Sequence, residues 1–118
     1  QVQSRLCKLF PEYTITHQGE AVLGEGVTSL VANAPVHGDS FSWHIDADPM
    51  LTPFGPWHDC YGHYSNREPG KPLFVTLLLY LNEAWPDNWE AETQFLDTPT
   101  GTGFFVKPRP GRAVLMDQ

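Results

Sequence analysis

Along the chain the apolar positions fall first on a helical period and then into short β-prone runs separated by turn residues. In the first ten residues Val2, Leu6, Leu9 and Phe10 share one helical face, with Gln3, Ser4 and Lys8 opposite and Pro11 closing the run. That pattern predicts a short amphipathic helix packed against a sheet. Short β-prone stretches follow at Tyr13 to His17, Val27 to Ala34 and Phe41 to Asp46, the last after a His-Gly-Asp turn at positions 37 to 39. Leu73 to Asn82 is the clearest strand, a buried-type run of Phe, Val, Thr, Leu and Tyr. Thr93 to Leu96, Gly103 to Lys107 and Arg112 to Met116 supply three more, between turns that carry Pro99, Gly101, Pro108, Pro110 and Gly111. From Ala47 to Pro72 the periodicity lapses into prolines, glycines and aromatics; a loop of that length inside a compact domain is commonly functional. Helices do not alternate with the later strands, which excludes a parallel βαβ sheet and leaves an antiparallel sandwich or jelly roll as the natural class.

Composition narrows the classes further. The chain has 118 residues, room for one domain, with 41% hydrophobic, 13% aromatic and 18% charged positions, a balance that suits a folded core. Its formal net charge of −7 argues against a nucleic-acid partner, because phosphate binding needs clustered Lys and Arg. Lys107, Arg109 and Arg112 alone lie close together, in a Pro/Gly turn that reads as a solvated loop. The longest uninterrupted apolar run, Leu77 to Leu81, is too short for a membrane span, and no signal peptide is visible. Two cysteines, Cys7 and Cys60, are too few for a disulfide framework or an all-thiolate zinc site, so a reduced, cytoplasmic compartment is expected.

The chemistry concentrates in Phe41-Ser42-Trp43-His44-Ile45-Asp46. On a strand, residues two apart face the same side, so His44 and Asp46 are expected to point inward together while Trp43 and Ile45 pack outward against a second layer. An imidazole and a carboxylate side by side are two members of a facial triad, which with a third ligand, usually a second His, holds Fe(II) and leaves one face open. The same H-x-D also reads as a histidine hydrogen-bonded to a nearby aspartate with no metal. On the next strand Thr76, Leu78 and Tyr80 share a face by period two, an apolar wall with a hydroxyl at each end.

The order of these segments carries a resemblance. His44-Ile45-Asp46, the long loop, Tyr80-Leu81-Asn82, Glu92-Thr93-Gln94-Phe95-Leu96 and Pro110-Gly111-Arg112-Ala113-Val114-Leu115 together resemble the prolyl 4-hydroxylase-like branch of the 2-oxoglutarate/Fe(II)-dependent dioxygenases, from Leu30 to Gln118. The resemblance implies a double-stranded β-helix, a cupin-like jelly roll, behind a short N-terminal helix. It implies a single domain over 1–118 that lacks its C-terminal strands, and with them the distal histidine and a basic cosubstrate ligand. It implies Fe(II), 2-oxoglutarate as cosubstrate, often ascorbate, and hydroxylation of a peptidyl residue or small molecule coupled to decarboxylation of 2-oxoglutarate to succinate. Residue by residue, His44 and Asp46 match the metal ligands, Tyr80 a tyrosine whose hydroxyl bonds the far carboxylate of 2-oxoglutarate, and Thr76 a smaller residue lining the same pocket. Two ligands of three imply weak iron binding and no turnover from this chain alone. The chain departs from the pattern at Ala34, where several relatives carry tyrosine, and at Glu90-Ala91, where paired glycines are usual.

Two other classes compete. Trp57-His58-Asp59-Cys60-Tyr61-Gly62-His63 offers His58, Cys60 and His63 as zinc ligands for a zinc-dependent enzyme, without a fourth ligand in the sequence. The same loop also reads as the rim of a barrel, with Trp57, Tyr61 and Tyr64 as a stacking surface and His58 or His63 touching substrate. A non-catalytic, cupin-like binding domain is the remaining alternative. His17 and His37 read as surface residues, Trp85 and Trp89 as a turn after the Tyr80 strand, and Asp117 as a turn residue or a support for a ligand beyond it. The expected partners are a small-molecule or peptidyl substrate, with neither nucleic acid nor membrane.

Overall fold

The structure, a computed structural model, describes residues 1–16, 30–46, 48, 50 and 54–117. The chain is mainly β with a short N-terminal helix, and it divides into two units, Gln1–Pro72 and Leu73–Gln118. Among the described residues no helix is long and apolar enough to cross a membrane.

The first unit opens with helix α1 (Val2–Leu9), which ends where Phe10 leaves helical geometry and donates its N–H to Leu6 O at 2.9 Å. None of its residues is buried, and Leu9 stays 70% exposed. Gln3 Nε2 holds the following segment by donating to Ile15 O at 2.8 Å. Helix α2 (Pro56–Tyr61) lies inside the stretch expected to be loop. Proline at its start has the fixed φ a first helical turn wants, and Gly62 ends it at φ 68 and ψ −172, a conformation open in practice to glycine alone. The helix gathers an aromatic core: Trp57 is 7% exposed and Tyr64 1%, with the Trp57 ring 4.5 Å from Tyr61 and 6.0 Å from Tyr64. Lys71 closes this cluster, its ammonium 5.7 Å from the Tyr64 ring centroid and donating to Tyr61 O.

The second unit holds two antiparallel sheets of two strands each. Strand β1 (Val75–Leu79) pairs with β4 (Ala113–Asp117), setting Thr76 opposite Met116, Leu77 opposite Leu115 and Leu78 opposite Val114. Strand β2 (Thr93–Asp97) pairs with β3 (Thr102–Val106), with Phe95 opposite Phe104 and their rings stacked at 4.8 Å. Each of these four strands overlaps a strand expected from the sequence. A 3₁₀ turn (Asp87–Trp89) precedes β2, where Trp85 and Trp89 meet edge to face at 5.5 Å. An open cleft of about 570 Å³ lies beside Phe95, Phe104, Val114 and Met116, with Asp97 and Asp117 at its margin. Lys107 pairs with Asp87 and holds its carboxyl below the usual range, while Arg112 Nη1 donates to Lys107 O at 2.5 Å. Two of the turn's basic groups are thus engaged within the protein.

Three expected strands are not formed among the described residues. Positions 13–16, 30–34 and 41–46 carry no strand pairing, and His17 and positions 27–29 lie outside the described residues. Trp43 and Ile45 do not pack against a second layer; they are 64% and 59% exposed. The physical reason is that alternation only prepares a segment for pairing. A strand exists when a neighbouring strand takes up its amide and carbonyl groups in a ladder, and among the described residues these segments join no such ladder.

Candidate metal centre

His44 and Asp46 sit in a segment that joins no sheet among the described residues, with Asp46 in a turn, yet their side chains converge. His44 Nε2 lies 3.0 Å from Asp46 Oδ1, with the two side chains 59% and 38% exposed. The other ring nitrogen, Nδ1, lies 2.6 Å from Ser42 O. A carbonyl oxygen only accepts, so Nδ1 carries the hydrogen and a neutral His44 presents Nε2 as a bare lone pair. That lone pair faces a carboxylate oxygen. Two acceptors at this distance repel unless a cation stands between them, and the cation is either a proton on Nε2 or a metal ion. The imidazole is accordingly held above its ordinary 6.5, first by the bond to Ser42 O and then, against some desolvation, by the charge of Asp46.

Metal geometry fits the same pair. In an octahedral site with bonds near 2.1 Å, adjacent ligand atoms stand about 3.0 Å apart. The Ser42 carbonyl supplies what metal-binding histidines ordinarily require, a partner that fixes the tautomer and the ring plane. Nothing in the sequence marks Ser42 for this, because the contact uses its backbone. Asp48 caps its own turn by accepting from Met50 N–H at 2.9 Å. Among the described residues no group of three or more His, Cys, Asp and Glu side chains assembles that could hold a metal.

Tyr80 and Thr76 lie in the second unit. Thr76 is half-buried on β1. Tyr80 directly follows that strand and continues its pairing: its N–H donates to Arg112 O at 3.0 Å, and its carbonyl accepts from Gly111 N–H at 2.9 Å. Its hydroxyl lies 2.5 Å from Thr93 Oγ1 at the start of β2. Thr93 carried no assigned role in the sequence. Its one signal in the sequence was its place at the head of the strand expected over Thr93 to Leu96.

The rival loop brings two of its three expected zinc ligands together. The His58 and His63 rings are 4.2 Å apart, and Phe54 contacts both at 5.2 and 5.1 Å. The turn at Gly62 produces this by folding the chain back on the end of α2. Neither nitrogen of His58 has a hydrogen-bond partner, and both are covered. Cys60 is exposed on α2. The turn at Glu90-Ala91, where the sequence departs from paired glycines, keeps a glycine-like backbone: φ is 51 at Glu90 and 56 at Ala91. Trp85 Nε1 braces it by donating to Glu90 O at 2.9 Å. Comparison of the chain with protein-family models, with curated proteins and with solved structures finds no match.

Proposed function

We propose that the protein is an Fe(II)- and 2-oxoglutarate-dependent oxygenase of double-stranded β-helix fold, acting on a peptidyl residue or a small molecule. The observation that carries this reading is the 3.0 Å approach of His44 Nε2 to Asp46 Oδ1 with Nδ1 tied to Ser42 O. It is an arrangement in which a divalent ion can replace a proton without either side chain moving far. The order of segments supplies the rest of the argument. The strand ending in Tyr80-Leu81-Asn82 and the turn at Pro110-Gly111 follow the H-x-D as they do in the prolyl 4-hydroxylase-like branch.

In this reading His44 and Asp46 hold the metal, and the Ser42 carbonyl keeps the imidazole plane aligned. A third ligand, which the resemblance places after Gln118, completes the triad. Tyr80, just past β1, receives the far carboxylate of 2-oxoglutarate through its hydroxyl, and Thr76 lines the same pocket, as the resemblance implies. Bound together, iron and the keto acid supply the oxidising chemistry, in which 2-oxoglutarate gives succinate and CO₂.

Calorimetry with Mn(II) tests the centre without turnover. One ion is expected to bind, and His44→Ala or Asp46→Ala should weaken it at least about ten-fold, whereas His37→Ala should leave it unchanged. Zinc bound through His58, with His44 irrelevant, would transfer the assignment to a zinc enzyme. A protein indifferent to every divalent ion would be a binding module. With the third ligand present, Fe(II) should support release of succinate from 2-oxoglutarate, and either alanine variant should abolish it.

A further inference from the structure

Resting on the oxygenase reading, we propose that Thr93 is a positioning residue for Tyr80, the two hydroxyls together presenting a single O–H to the far carboxylate of 2-oxoglutarate. The backbone of Tyr80 is held through both its N–H and its carbonyl by the turn before β4, through Arg112 O and Gly111 N–H, so the ring leaves the chain from a fixed point. Its hydroxyl then meets Thr93 Oγ1 at 2.5 Å, which ties the β1–β4 sheet to the β2–β3 sheet. Each hydroxyl owns one hydrogen, and the bond between them consumes one of the two. In this assignment Thr93 Oγ1 donates to the Tyr80 hydroxyl oxygen, so the O–H that remains is that of Tyr80, and its oxygen is already located. A donor polarised by a neighbouring hydrogen bond is stronger toward an anion than a lone phenol, and its direction is set before the ligand arrives. Without Thr93 the Tyr80 hydroxyl is free to turn to water, and the carboxylate must fix it on binding. Thr93 thus acts on the cosubstrate through Tyr80.

The test uses the Mn(II)-loaded protein and equilibrium binding of keto acids, so turnover plays no part. Thr93→Val keeps the shape and β-branching of the strand residue and removes only the hydroxyl. It is expected to weaken 2-oxoglutarate about ten-fold, the usual scale for a hydrogen bond to a charged group. Binding of 2-oxopentanoate, which carries a methyl where 2-oxoglutarate carries the far carboxylate, should not change. Thr93→Ser should restore affinity, and in a Tyr80→Phe background Thr93→Val should add nothing. Equal losses for both keto acids would make Thr93 merely structural, and an unchanged 2-oxoglutarate affinity would remove it from recognition altogether; either result overturns the assignment and spares the oxygenase reading. A protein that takes up Mn(II) and then binds neither keto acid overturns the oxygenase reading, and the role of Thr93 falls with it.

Discussion

The phenol of Tyr64 shows what burial does to a single group. It is 1% exposed, and burial, with a smaller contribution from Tyr61, pushes its pKa up to about 12. In the unfolded chain the same phenol ionises near 10. Below pH 10 it is neutral in both states and leaves stability untouched; between 10 and 12 only the unfolded chain ionises, so the fold loses stability as pH rises through that window. Denaturant midpoints are therefore expected to hold level up to about pH 10 and decline above it. One of the four tyrosines should be missing from the phenolate absorbance until about 12. Tyr64→Phe should remove that delayed transition. The candidate site was partly legible at this scale. The spacing of His44 and Asp46 foretells neighbouring side chains, and they meet at 3.0 Å. The Ser42 carbonyl and the Thr93 hydroxyl were not legible: the first is backbone, which every residue has, and the second acquires meaning only from a partner thirteen positions away.

Strands were legible where a partner strand exists and misread elsewhere, while α1 was legible from its helical period. β2 to β4 lie within a residue of their expected spans and β1 within three, because apolar runs and turn residues agree on them. Phe41 to Asp46 alternates as well, and joins no strand among the described residues. Helix α2 was hidden in the opposite way: six residues are too few for a helical period, and its real markers were Pro56 at the start and Gly62 at the end. Gly62→Ala should cost about 1–3 kcal/mol in urea unfolding, although nothing lies within 4 Å of the added carbon, because the penalty is backbone strain at φ 68. Ala91→Gly works in reverse. It places glycine at φ 56 and should gain up to about 1 kcal/mol, the relief of left-handed strain less the entropy glycine forfeits. In the β2–β3 hairpin, Phe104→Ala removes the stacked partner of Phe95 and should cost about 0.5–1.5 kcal/mol beyond the lost area.

For the molecule as a whole, charge and exposed apolar surface act together. Phe104, Phe105, Leu96 and Leu115 are 40–67% exposed on the strands of the second unit, each strand there is a sheet edge, and a charge of −7 opposes association through them. Light scattering is expected to rise as pH falls toward the isoelectric point near 5.0 and to subside again at neutral pH. The β-rich class with its leading helix was legible from the whole sequence, because turn residues recur at strand spacing and helical periodicity occurs once. The exposure of Trp43 and Ile45 was not, because burial is a property of what lies opposite. The Glu90-Ala91 turn joins this scale to the gene. Codons for glutamate and alanine each become glycine codons by a single base change, so the strain of the turn can be relieved in two independent mutational steps. A randomly mutagenised library screened for heat resistance is expected to return glycine at positions 90 and 91 among its first survivors.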